Sequence, residues 1–234
     1  RDLHTFPTRR SSDLPSLYPA AEKGLARILA QWADSTLFWA AMAHNLSPKG
    51  AVAMFEGAPP EAAKAFAADR GAMSQGMSRL RPADAAAAYK SYLRRIAHML
   101  EQNDFLLGDA PCVADFAVYH PLWFTRHRTP TVADILDATP GVLTWMDRMA
   151  ALGHGMPEKM TSADAIAVAH ASTPAAPHDD FFQDDHGIAL GSRVSVAAES
   201  FGTEITEGEL VAATRTQLSL RRVDERAGTV QVHF

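Results

Sequence analysis

The chain has 234 residues, 47% of them hydrophobic and 21% charged, with a net charge of -5. This composition supports a folded core and excludes wholesale disorder, and the acidic balance argues against a surface built to neutralise phosphates, so no nucleic acid partner is expected. No apolar run approaches the roughly 20 residues needed to cross a bilayer as a helix, so no membrane is expected either; the single cysteine, Cys112, has no internal disulfide partner, which makes the cytoplasm the default compartment.

In chain order, residues 1–14 carry no hydrophobic period of 2 or 3.6 and lack an initiator methionine. They resemble a translated sequencing-adapter remnant of the kind found at the ends of assembled environmental sequences, and are set aside as a disordered, non-native segment. The rival reading, an organelle transit peptide, is disfavoured by Asp2 and Asp13 and by the segment's shortness. From about Ala21 to Asn45 the residues Leu25, Ile28, Leu29, Trp32, Trp39, Ala40 and Ala43 recur at three- and four-residue spacing, which predicts one long helix with a core-facing stripe. Leu37, Phe38 and Met42 lie off that stripe, so the second half of the helix needs a further contact. Ser47 to Gly50 ends it, and Pro59-Pro60 begins an Ala-rich helix to about Met73. Pro82 starts a better-defined helix whose face is Ala85, Tyr89, Tyr92, Leu93, Ile96 and Leu100.

The next stretch carries the most information. Gly108 and Pro111 punctuate a turn, and Asp115 stands three residues after Cys112, where a carboxylate reaches back to the free N–H groups of a first helical turn. An apolar helix follows to about Thr125, with Phe116, Tyr119 and Trp123 near helical spacing and Pro121 inside it, where a kink is expected. It is read as the buried central helix.

The segment from Phe105 to Phe116 resembles the capping box and hydrophobic staple that start the core helix in the C-terminal domain of glutathione S-transferases. Leu17-Tyr18-Pro19 at the start of a long helix, the Tyr89 to Leu100 helix upstream and Pro140 to Met149 downstream fit the same pattern. The likeness covers about Ser16 to Leu152. One departure is Cys112, where the family usually has Ser or Thr as the N-cap; a thiol is a weaker acceptor. The resemblance implies a mainly α fold, a transferase-type helical bundle. It implies glutathione as co-substrate of an intact parent, held and activated by a thioredoxin-like domain that this chain lacks, and a homodimeric parent acting on a small apolar electrophile. It leaves this chain with no catalytic residue and no cofactor of its own. The second-substrate wall falls to Phe38, Trp39 and Met42, with Tyr119 and Trp123; simple core packing is the competing reading for each. Gly108, Cys112 and Asp115 are read as the structural helix cap.

A further helix is predicted from Ser162 to Ala171, and then the period changes to 2. Val194 and Val196, Leu210 and Val211, Leu218 and Leu220, and Val230, Val232 and Phe234 predict four short strands, with Gly202, Gly208 and Gly228 marking turns. A small antiparallel sheet or SH3-like barrel is expected, cut short at its C-terminus. The organisation is therefore 1–14 non-native, 15–172 helical, 173–186 an acidic linker and 187–234 a β module. His178 to His186 gathers two imidazoles and four carboxylates, but their spacing fits neither an EF-hand nor a zinc site, so no metal is expected. Cys112 at a helix N-terminus would have a lowered thiol pKa; capping is the role assigned to it. A non-catalytic transferase-like binding or assembly protein is the alternative function, and an unrelated helical interaction domain is a third class.

Overall fold

The computed structural model describes residues 16–175, 186–199, 201–214 and 217–234. The segment 1–14 and most of the acidic linker lie outside these. The chain divides into two compact units, one of residues up to 66 with 78–154, the other of 67–77 with 155–234.

The first unit is a helical bundle. Its elements are α1 (Lys23–Trp32), a π-helical turn (Ala33–Leu37), α2 (Phe38–Asn45), α3 (Pro48–Met54), the start of α4 (Pro60–Met73), α5 (Pro82–Met99), α6 (Val113–His127), a 3-10 segment (Pro130–Leu136) and α7 (Pro140–Ala151). The predicted first helix is thus continuous from α1 through α2, but its buried face differs from the expected stripe. Ala26, Ala33, Leu37, Ala40 and Ala41 are buried, whereas Leu25 and Ile28 are exposed. The π turn adds one residue to a helical turn and so rotates the apolar positions that follow it. The alanines on the inner side let α1 lie close to α6, against which it packs. Leu37 and Met42, two of the three residues that lay off the sequence stripe, are buried, and the third, Phe38, is half-buried. The seven-residue α3 was not expected; Ser47 and Pro48 end one helix and begin another, Pro48 taking the first-turn position where a missing N–H costs nothing. Gly50 is required there, because a Cβ at that position would stand 2.0 Å from the carbonyl oxygen of Asn45.

The core of the unit is built by α2 and α5 against α6 and α7. Tyr89, Leu93 and Ile96 meet Val118, Leu122, Val142, Trp145 and Met146, all of them buried. The face predicted for α5 is the one observed, with Tyr92 half-buried at its margin. One polar chain runs through this apolar interior: Tyr89 Oη lies 2.8 Å from Thr125 Oγ1, which donates to the Pro121 carbonyl at 3.0 Å. The Thr129 hydroxyl donates to Asn45 Oδ1 at 3.2 Å. These bonds serve hydroxyls that would otherwise be stranded out of water.

In the second unit a four-stranded antiparallel meander, β1 (Arg193–Val196), β2 (Thr206–Ala213), β3 (Leu218–Asp224) and β4 (Gly228–His233), runs in simple sequence order. The four predicted strands are present as an open sheet. One face gathers Leu210, Leu220 and Val232 in register, with Val194 opposite Gly208 beside them; the other carries the ion pairs Arg193–Glu207 and Arg221–Glu209. Gly208 is not a turn residue as expected but lies inside β2, where a Cβ would come within 2.8 Å of the Arg221 carbonyl oxygen. α8 (Ser162–Ala171), capped by Thr161 and Asp164, packs against β4. The helix that the sequence reading grouped with the bundle therefore belongs to the compact unit of the sheet.

Candidate functional site

The segment that launches α6 is held by one carboxylate. Phe105 and Gly108 exchange backbone hydrogen bonds of 2.9 and 3.2 Å across a tight turn, which Gly108 closes at a φ of +132° that L side chains rarely adopt. The turn aims the backbone at Asp115, which is fully buried. Its Oδ1 accepts from Leu106 N–H and from Trp145 Nε1–H, both at 2.9 Å, and its Oδ2 accepts from Cys112 N–H at 3.0 Å. The cap expected from the spacing of Cys112 and Asp115 is therefore present as a capping box. The tie to Trp145 on α7 adds something the local sequence does not show. Val113 N–H donates to the Leu17 carbonyl at 2.9 Å, so the strand of chain before α1 is fastened at the same place. Cys112 is buried, and burial pushes its thiol pKa up despite the neighbouring N–H groups of Ala114 and Asp115. This corrects the expected lowering: desolvation of a thiolate outweighs the helix-terminus field.

The direction so imposed on α6 decides which of its aromatic residues face inward. Ala114, Val118, Pro121, Leu122 and Thr125 are buried. Phe116 and Trp123, expected inside, are 41% and 38% exposed. The small Ala114 and the tethered Asp115 occupy the inner side, and the 100° step of a helix then carries Phe116 and Trp123 out. Phe116, His120, Trp123 and His127 follow one another at four-, three- and four-residue spacing along this outer face. Trp123 and His127 have ring centroids 5.8 Å apart.

The structure brings part of the candidate wall together on that face. Phe38, half-buried on α2, meets Trp39 edge to face at 5.1 Å and stacks on His120 of α6 at 6.0 Å with an interplanar angle of 29°. Phe38, Trp39 and His120 thus form an aromatic cluster shared by α2 and α6, and Trp123 follows His120 by three residues on the outer face of α6. Tyr119 turns to α7 instead, where its ring meets Trp145 edge-on at 6.0 Å, and Met42 is in the core. His120 was missed by sequence reasoning; its signal was the spacing from Phe116 and Trp123, masked by the assumption that this side of the helix was buried. Flat, part-exposed rings beside an imidazole suit contact with a planar apolar molecule through their faces, with one hydrogen-bonding group at the margin. Among the described residues no group of three or more His, Cys, Asp or Glu is placed to hold a metal ion, and the acidic run His178 to Asp185 lies outside them. No helix among them is long and apolar enough to cross a membrane.

Residues 61–148, from α4 to near the end of α7, match the glutathione S-transferase C-terminal domain family. The chain is similar to a solved GST-like protein from Pseudomonas syringae, at 34% identity and a TM-score of 0.73, over 94% of this chain and 68% of that one. So large a share takes in the sheet as well as the bundle. Two further solved structures are matched more distantly. A glutathione S-transferase domain-containing protein from Marinobacter aquaeolei gives 22% identity and a TM-score of 0.40, over 60% of each chain. The beta-etherase LigF from Sphingobium gives 21% and 0.37, over 58% of this chain and 62% of that one. No curated protein matches the chain. The buried carboxylate at the head of α6, the bundle around it, the family match over 61–148 and the likeness to the Pseudomonas syringae protein agree: the chain belongs to the glutathione S-transferase superfamily and carries its helical C-terminal domain.

Proposed function

We propose that this chain supplies the apolar wall against which a glutathione-dependent transferase holds its second substrate, a small electrophile with a planar apolar body. The observation that supports this reading is the aromatic cluster of Phe38, Trp39 and His120, assembled from two helices and only partly buried, with Trp123 three residues beyond His120 on the outer face of α6. Large rings left part-exposed on one face are the usual mark of a contact surface. Glutathione would be held and its thiol activated by a thioredoxin-like domain of the kind the family carries; no residue here is assigned that role. The thiolate would then attack the electrophile lying on the aromatic wall, which contributes position and desolvation. The same reading makes the working protein a cytoplasmic homodimer. Met42 and Tyr119 would act from behind, holding α2 and α6 at their spacing.

The test is a fluorescence titration of the chain with 1-chloro-2,4-dinitrobenzene in the absence of glutathione. Saturable quenching is expected, weakened by up to about tenfold in Phe38→Ala and in Trp123→Ala, since each ring is already partly buried and covering the rest is worth only part of the roughly 1.5–3 kcal/mol of full burial. Tyr119→Phe should bind as the parent chain does. Affinity in both alanine variants equal to that of the parent chain would sink the assignment. With glutathione added, the chain by itself is expected to form no conjugate.

A further inference from the structure

We draw no further inference here: the strongest candidate, the exposed apolar face of α1 around Leu25 and Ile28, is a helix surface of which nothing in the structure shows what covers it.

Discussion

Replacing Asp115 by alanine would leave three buried donors facing an empty space: the N–H groups of Leu106 and Cys112 and the indole Nε1–H of Trp145, now held at 2.9, 3.0 and 2.9 Å. A buried donor left unsatisfied costs about 1–3 kcal/mol. With some relaxation of the turn, the three together put the loss at about 3–5 kcal/mol, a large part of the roughly 5–15 kcal/mol that holds a domain folded. Asparagine keeps one acceptor and presents an NH2 group to a donor, so Asp115→Asn should lose about 2 kcal/mol. The measurement is urea unfolding followed by far-UV circular dichroism, which reports the helical unit. A double-mutant cycle then isolates the bond between elements. In a Trp145→Phe background one of the three donors is already gone, so Asp115→Ala should cost about 1–2 kcal/mol less there than in the parent chain. If Asp115→Ala costs less than about 1 kcal/mol, or costs the same in both backgrounds, the carboxylate does not tie α6 to α7 in the way the geometry indicates.

Three further outcomes follow from other parts of the molecule. Gly50→Ala should destabilise the helical unit by about 1–3 kcal/mol or more, because the added Cβ falls 2.0 Å from the Asn45 carbonyl oxygen, a backbone atom that cannot step aside; calorimetry would show a lowered Tm, and an unchanged one would count against the α2–α3 packing. Burial drives the Tyr89 phenol pKa above its ordinary value, so folding favours the protonated form; the contribution is whole below about pH 10 and lost as pH rises beyond it, at up to about 1.4 kcal/mol per pH unit. Tyr89→Phe should lose about 1 kcal/mol at neutral pH through the missing bond to Thr125 and should flatten the alkaline decline, which urea midpoints across that range would register. Cys112 is 3% exposed and its thiol is held protonated by burial, so a disulfide reagent should label it only as the helical unit unfolds; labelling of the native chain at the rate of a free thiol would contradict the buried cap.

The aromatic surface shows where local pattern and tertiary structure part company. Phe38, Trp39 and Trp123 were named as wall candidates through the family resemblance, Phe38 lying off the sequence stripe and Trp39 on it. Their grouping was not legible, since it depends on two helices far apart in the chain meeting at Phe38 and His120. Tyr119 has the same local signature as Trp123 yet faces α7. Four residues of helix separate them by about 40° from a full turn, enough to send one ring inward and the other out.

From the residues alone came the elements whose signals are local: the face of α5, the turn at Gly108, the cap formed by Cys112 and Asp115, the helix from Ser162 and the four strands of the meander. Each rests on spacing within a few residues, and the physics that enforces it, helical period, strand alternation or a carboxylate reaching its own first turn, acts over the same distance. The tertiary structure decided the rest. The π turn at Ala33–Leu37 has no marker in the sequence and re-phases the positions that follow it, and on the helix before it packing puts Leu25 and Ile28 outside while Ala26 faces the interior. Gly208 was read as a turn because glycine usually marks one; only the approach of β3 reveals it as the place where two backbones come too close for a side chain. Asp115 was legible as a cap for its own helix, but its bond to Trp145 required α7 to fold back across α6, a meeting fixed by the packing of the whole bundle.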